Sequence, residues 1–540
     1  ILDVIVSLRG LSLNPKHCAQ TMATSRKIAL LFGAENINAI IGWIALLFVA
    51  RKMGAGALGE FSYAMSLVGG FTFIAFFGFR MAHVKRISEG LDLGKCIGTF
   101  FTIRVFLVSI MLLIFALFYW LWTAPEIMYG FPLGKEIYDT SETVILLVLI
   151  YYIIFLMNGV IKATFSGLEQ SAKVAIPNVV GTTVRSILFI YIAFQVSSGE
   201  LKAEQGVLGL AISQIIGILI IFMMSLWYFR GYPISKPDQE TFQSYKIFAF
   251  PVAAASIFGV LKQYIDKILV GIFWTATDVG LYFAVQRIAL FIGTMALAIE
   301  EMLLPSVSKL HSKSKGIQSS IYDTERYVAM VCIPIVAMTV VWSSEIIVVF
   351  ISREFLPAVR ILQFLALAAL VKVVNRPWSV ALRGSDRPDL TSIINIFSSS
   401  LNIFLMLILV PKQIPQLGLD GLPGMGGEGA ALALLISEIV LGLSLRILCY
   451  SSLDLKPQFH FFLQLFFALI IGLIMWQVQG SIGVERWYEL FFFSALGGFL
   501  YIFVLAAVGI FSRDDFIFFW NVMNPKAMTS YVGDELTGKK

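Results

Sequence analysis

The chain has 540 residues, of which 58% are hydrophobic and 14% charged, and its mean hydropathy is +0.85. Ordinary soluble proteins carry about 25% charged residues, so this composition excludes a soluble globular protein and defines an all-α polytopic membrane protein. The formal net charge of +6 is no nucleic-acid signature, because Lys and Arg collect in the cytoplasmic loops of membrane proteins.

The first 21 residues (ILDVIVSLRGLSLNPKHCAQT) lack the basic start, apolar run and small-residue cleavage site of a signal peptide. Met22 reads as the start of translation, with residues 1–21 as an artefact. From there fourteen apolar runs follow, each long enough to cross a bilayer at about 20 residues per helix. They cover 28–50, 60–80, 100–122, 143–163, 174–196, 206–229, 247–272, 280–302, 328–350, 359–383, 390–411, 430–450, 461–480 and 490–512. The connections are short and none is large enough for an extramembrane domain. The Gly-rich stretch 412–429 (KQIPQLGLDGLPGMGGEG) reads as a flexible loop.

With the N-terminus inside, the inner connections hold sixteen Lys and Arg, from Arg80 to Lys456. The outer ones hold seven: Arg51, Lys52, Lys135, Lys202, Arg353, Lys412 and Arg486. This bias assigns both termini, 1–27 and 513–540, to the cytoplasm. Trp120, Trp122, Trp274 and Trp487 fall near outer span ends, and Trp227 near an inner one, as interfacial anchors do.

An internal repeat runs through the spans. Gly167 precedes Asn178 by eleven residues after span 4, and Gly384 precedes Asn395 by eleven after span 10. Ser213-Gln214-Ile215 of span 6 corresponds to Ser437-Glu438-Ile439 of span 12, and GEFSYA from Gly59 to GLYFAV from Gly280. Matches in the same order imply two homologous six-helix bundles, 28–230 and 247–450, joined by a cytoplasmic linker at 231–246. Six is even, so the halves enter the membrane in the same direction, as parallel repeats. The helices at 461–512 are an addition outside the repeat.

Charge then enters places where it is costly. Span 5 puts Asn178, Thr182, Arg185 and Ser186 on one face. Span 7 carries Lys262, Gln263, Asp266 and Lys267 on one side of the helix. Span 8 aligns Arg287, Thr294 and Glu301, and span 10 lines up Lys372, Asn375, Arg376, Ser379 and Arg383, with Pro377 kinking the helix. Glu35 and Asn38 sit together in span 1, and Ser392, Asn395, Ser399 and Asn402 form a stripe in span 11.

Each of these residues has a purely structural reading. Lys262 and Asp266, four apart, neutralise each other; Arg104 and Arg383, near the inner face, snorkel; Asn and Ser stripes glue helices together. The set as a whole does not reduce to this. Arg185, Arg287, Lys372 and Arg376 lie on different helices, well inside the membrane, with few carboxylates to pair them. Pointing into one shared cavity, they form a site for an anionic substrate, and Arg suits phosphate because its planar fork bonds two oxygens. Lys262, Lys267, Arg104, Asn178 and Asn395 are the further substrate-binding candidates. Asp266 and Glu35 are the candidates for ion coupling.

The stretches FVARKMGAGALGEFSYAMSLV (Phe48–Val68), TATDVGLYFAVQRIA (Thr275–Ala289), VVFISREFLPAVRILQFLAL (Val348–Leu367) and LRGSDRPDL (Leu382–Leu390) carry a resemblance. In this order the chain resembles the multidrug/oligosaccharidyl-lipid/polysaccharide exporter superfamily, in particular its branch of O-antigen-type flippases, archaeal members included. The resemblance covers roughly residues 28–511. It implies two six-helix bundles around a central cavity followed by two extra helices, and a cargo of lipid-linked sugars, lipid-linked cell-wall precursors or drugs.

The expected function is translocation of a polyisoprenyl-(di)phosphate-linked glycan across the cytoplasmic membrane by alternating access, with no bond made or broken. The expected partners are that glycan lipid, membrane lipids and glycan-assembly proteins, with the chain a monomer and no nucleic acid. A cation-coupled drug or metabolite antiporter of the same superfamily is the alternative, kept open by Asp266 and Glu35. A lipid-dependent glycan enzyme fits less well, since Asp386-Arg387-Pro388-Asp389 lies in a short inner turn. No GxxxxGK[ST] phosphate loop is present. The scattered Cys18, Cys96, Cys332 and Cys449, and His17, His83, His311 and His460, suggest neither disulfides nor a metal site, and no cofactor is expected.

Overall fold

The computed structural model describes residues 15–123, 135–293, 318–385, 387–456, 460–481, 483–484, 486–513 and 515–516. For 15–35, 122–123, 135–141 and a few isolated positions it describes the backbone alone. Residues 1–14, the inner connection 303–317 with Lys309, Lys313 and Lys315, Thr294 and Glu301 of span 8, and the tail beyond 516 lie outside the described residues.

In hydrocarbon every backbone N–H and C=O must be bonded within the segment, which leaves the helix as the form available to an apolar run. The described elements are accordingly α1 (Pro15–Phe71), α2 (Phe79–Ser88), α3 (Leu93–Thr123), α4 (Lys135–Gly167), α5 (Ser171–Ser197), α6 (Ala203–Phe229), α7 (Gln239–Phe273), α8 (Ala276–Gly293), α9 (Gln318–Val341), α10 (Ser343–Phe350), α11 (Val359–Gly384), α12 (Pro388–Leu409), α13 (Gly426–Leu453), α14 (His460–Gln479) and α15 (Trp487–Ala507). Among the described residues, 12 segments are long and apolar enough to cross a membrane. The first contains two of the fourteen expected spans, and the 35-residue α7 supplies another.

Three details differ from the sequence expectation. Spans 1 and 2 form one bent helix, broken at Gly54, whose φ of 81° and ψ of 177° suit glycine. The break leaves the Ala55 N–H without a helical acceptor, and the Glu354 carboxylate, 299 residues away, accepts it at 2.8 Å. Span 2 ends at Phe71 rather than at residue 80, in a 3₁₀ turn (Thr72–Ile74), and the short α2 starts after the left-handed Gly78. Span 9 is split at Trp342 into α9 and α10. The Gly-rich loop forms a small antiparallel hairpin pairing Gln413 with Asp420 and Ile414 with Leu419.

Helices α1, α4, α5 and α6 pack on one another, with α2 and α3 against α4; helices α9, α11, α12 and α13 form a second group. Helix α7 touches both groups, through α1 and α12. The pair α14–α15 rests on α9, outside the two groups. The groups meet where α1 crosses α8. A Cβ on Gly59 would lie 1.7 Å from the Ala276 carbonyl oxygen, and one on Gly280 would lie 1.9 Å from that of Ala55. The contact is reciprocal, residue for residue, about a local two-fold axis. The GEFSYA and GLYFAV segments, matched in sequence, are the two sides of this crossing. A single apolar cluster running from Ala45 through Val285 to Ala433 seals that end of the molecule.

Candidate functional site

The candidate site lies where the two helix groups face each other, and its cations gather in two groups. In the first, Arg185 of α5 and Arg287 of α8 come from opposite halves, and the charge of Arg185 acts on Arg287. The Arg185 stem fits against Gly217 of α6, where a Cβ would approach its own Cβ to 2.8 Å. Its guanidinium lies 5.8 Å from the Phe189 ring centre, and its Nε has no hydrogen-bond partner. Arg287 stacks over Phe283 at 4.7 Å. It is exposed by surface area, yet Tyr152, Tyr264, Arg185 and Asp266 all act on its charge. Tyrosines stand beside it: the Tyr152 hydroxyl donates to the Met65 carbonyl at 2.9 Å and lies 3.3 Å from that of Tyr264.

In the second group, Lys262 of α7 reaches across to Glu438 of α13 at 2.8 Å. Lys372 of α11 feels Glu438, Arg376 and Lys262 together. Lys262 and Lys372 thus share one carboxylate, whose second oxygen is buried without a hydrogen bond. Lys262 and Asp266 stand one turn apart on α7, so this helix carries members of both groups.

Asp266 does not pair with Lys262, contrary to the sequence reading. The neighbouring Lys267 folds back onto it at 2.6 Å, while Tyr282 (3.0 Å) and Gln286 (2.6 Å) also donate to the carboxylate. Lys262 is drawn away by Glu438. Lys267, with Asp266, the Gln263 carbonyl (3.1 Å) and Gln286 (3.2 Å) around its ammonium, is fully engaged and buried, so it is no free substrate ligand.

Arg104 does not snorkel. It is 1% exposed, donates to the Ala75 carbonyl at 2.5 Å and lies between Phe76 and Phe100. None of these contacts belongs to either cation group. Asn178 accepts from Lys162 at 3.2 Å, and Asn395 is exposed on α12; neither joins the clusters. The Glu35 side chain lies outside the described residues.

Two acids were missed in the sequence. Glu438 served there only as a repeat marker, although an acid in the middle of an apolar span is itself a functional signal. Glu325 of α9 pairs with Arg446 of α13 at 2.6 Å and accepts from the Trp378 indole at 2.9 Å, while Arg446 also donates to Asn375 at 3.0 Å. Among the described residues no group of three or more His, Cys, Asp and Glu could hold a metal ion.

Comparison with known proteins agrees with this architecture. The sequence model described as polysaccharide biosynthesis protein matches residues 25–311, and the MatE model matches 251–408. The chain belongs to the polysaccharide biosynthesis protein family, within the multidrug/oligosaccharidyl-lipid/polysaccharide exporter superfamily. It is 24% identical over 391 residues (72% of this chain, 78% of the relative) to the probable low-salt glycan biosynthesis flippase Agl15 of Haloferax volcanii. It is 23% identical over 496 residues (90% and 96%) to the probable flippase AglR of the same organism.

Among solved structures, the lipid II flippase MurJ in an inward closed conformation superposes with a TM-score of 0.69 at 16% identity, covering 89% of this chain and 100% of that one. An inward-facing multidrug resistance MATE family transporter of the MOP superfamily gives 0.62 at 12%, covering 78% and 96%. These likenesses fix the fold, an all-α polytopic transporter architecture.

Proposed function

We propose that the protein is a flippase for a polyisoprenyl-(di)phosphate-linked glycan. One observation carries this reading. Arg287 lies in the field of Arg185 from the opposite half, and the Arg185 Nε is buried without a hydrogen-bond partner. Two like charges placed together inside a membrane are costly unless an anion joins them. A phosphate or diphosphate between them bridges the halves, so its arrival favours their closure on it and its departure their separation. The glycan flippases among the relatives agree with such a cargo.

In this reading no bond is made or broken. The protein resides in the cytoplasmic membrane with both termini inside, as the loop charge bias indicates. A cysteine placed in 414–420 and labelled only by reagent added outside the cell checks that orientation.

The test of function is transport in vesicles. A fluorescent polyisoprenyl-diphosphate glycan that has crossed is quenched by an impermeant reductant. Arg185→Gln and Arg287→Gln abolish transport while leaving insertion and folding intact. Arg185→Lys and Arg287→Lys retain part of it, because a point charge attracts phosphate without the two-pronged geometry. Full activity in both Gln variants would mean that the substrate site lies elsewhere. The MatE match over 251–408 supports a second reading, a cation-coupled antiporter centred on Asp266. Loss of gradient-driven export of a cationic dye in Asp266→Asn, with glycan transport absent in wild type, would favour it.

A further inference from the structure

A second cationic cavity, of about 1070 Å³, opens at the end of the molecule closed by the Gly59–Gly280 crossing. Three arginines from three separate elements line it: Arg51 of α1, Arg353 of the 3₁₀ segment before α11, and Arg486 at the start of α15. Arg353 is exposed and has no hydrogen bond or ion pair among the described residues. Arg51 makes one long bond, 3.4 Å, to the Val349 carbonyl, and Arg486 donates to the Tyr488 hydroxyl at 2.5 Å. The carboxylate in the described lining, Glu345, is occupied by the Gln479 amide, 2.8 Å from each of its oxygens. Three guanidiniums against one engaged carboxylate leave the described lining with two excess positive charges.

The surroundings narrow the chemistry of the occupant. Ile44, Phe48 and Arg51 share one helical face of α1, so an apolar strip leads directly up to a guanidinium. Trp487 and Tyr488 project at the rim, where aromatic side chains mark the boundary between headgroups and hydrocarbon. A soluble anion needs no apolar strip, and a bare phosphate does not fill the space. A phosphodiester, which a monophosphate-linked sugar also is, carries a single charge; a lipid phosphate monoester carries roughly −1.5 to −2 at neutral pH and a diphosphate joined to lipid and sugar carries two, matching the excess of the described lining.

We propose that this cavity binds the phosphate or diphosphate head of a polyisoprenyl lipid, as a second site separate from the Arg185–Arg287 pair. Guanidinium forks hold the phosphate oxygens, the remaining volume receives the first sugar of a diphosphate-linked glycan, and the tail lies along Ile44 and Phe48. This inference rests on the flippase reading for the identity of the lipid. It assigns the head a holding place at the end of the molecule opposite to the one from which a cavity closed at Gly59–Gly280 is loaded.

The test uses the full chain in phosphatidylcholine nanodiscs containing a polyisoprenyl phosphate with a photoreactive diazirine near its head. The expected result is covalent labelling of the peptides spanning 344–353 or 479–488. In Arg353→Gln/Arg486→Gln labelling falls by roughly tenfold or more, since each lost contact is a charge-assisted bond, and the Lys/Lys double variant retains part of it. Both arginines are exposed, so folding is kept; elution as a single species checks this. Wild-type labelling in the Gln/Gln variant, or labelling confined to other peptides, would overturn the proposal. Displacement by a tenfold excess of phosphatidylglycerol would overturn it in favour of an ordinary membrane phosphodiester, and displacement by inorganic pyrophosphate alone in favour of a soluble anion. Labelling needs no transport, so a failed transport assay would remove the flippase reading without touching this result, and the reverse also holds.

Discussion

Replacing Glu438 by Gln leaves the Lys262 ammonium, 22% exposed, without its partner at 2.8 Å. Lys372 loses the same counter-charge, because Glu438 acts on it as well. Breaking a buried ion pair from one side costs about 3–5 kcal/mol. Partial exposure of Lys262 screens its charge and places Glu438→Gln near the lower end, about 3 kcal/mol. Lys262→Met behaves differently. Glu438, 4% exposed, keeps Lys372 nearby, and the methionine stem packs where the lysine stem did, so the cost is about 1 kcal/mol. The double variant removes both members and lies closer to wild type than Glu438→Gln alone, with a coupling of roughly 1–3 kcal/mol. Reversible unfolding in mixed detergent micelles, followed by tryptophan fluorescence, measures all three. Equal costs for the two single variants, or a double variant equal to their sum, would refute the idea that Lys262 and Lys372 depend on one carboxylate.

Two further outcomes follow from the geometry. Gly59→Ala and Gly280→Ala each drive a methyl group into a backbone carbonyl that cannot turn aside, at 1.7 and 1.9 Å; such overpacking costs about 1–3 kcal/mol. The crossing therefore opens, and a cysteine at Ala276 reacts with maleimide faster in Gly59→Ala than in the parent; an unchanged rate would show that the closed end does not depend on this contact. His83, on α2 outside the membrane spans, is buried between the Tyr245 hydroxyl (2.8 Å) and the Thr164 hydroxyl (2.9 Å). Burial, reinforced by Arg104, pulls its pKa down to about 3. The folded state keeps His83 neutral while the unfolded chain binds a proton below about pH 6.5, so stability falls as pH drops from there towards 3, by about 2 kcal/mol at pH 5. His83→Gln flattens that part of the pH profile, and a slope identical to wild type would assign the acid sensitivity to other groups.

The helices were legible because bilayer thickness and backbone hydrogen bonding leave an apolar run little choice. Span 10, expected at 359–383, is Val359–Gly384, and span 11, expected at 390–411, is Pro388–Leu409. What escaped the sequence was decided by residues far away in it. The bend at Gly54 is completed by Glu354, and Lys262 is claimed by Glu438, 176 positions on. Spacing along a single helix compares only residues on that helix, so it offered Asp266 as the partner of Lys262. It could not show that Lys267, pointing about 100° away by periodicity, bends its flexible stem back onto the same carboxylate. Arg104 was misread for a related reason. Depth along a span does not reveal whether neighbouring aromatic rings close over the side chain, as Phe76 and Phe100 do.

The repeat itself held more information than its use as a fold marker. Positions matched between the halves carry Gln214 in one and Glu438 in the other. Gln214 lies beside Tyr151, which also interacts with Arg185, whereas Glu438 bonds Lys262 directly. Gln214 answers Tyr151 with a neutral amide, whereas Glu438 answers Lys262 and Lys372 with a carboxylate. The two matched positions are thus electrostatically unequal. Arg287 meanwhile feels another arginine, Arg185, across the interface, and Asp266, the carboxylate that acts on it, is already held by Lys267, Tyr282 and Gln286. An anionic head gains most where the nearby carboxylate is so engaged. We therefore propose the Arg185–Arg287 pair, rather than the cations around Glu438, as the place of the cargo's phosphate, with Glu438 holding the second group's cations whether or not cargo is bound.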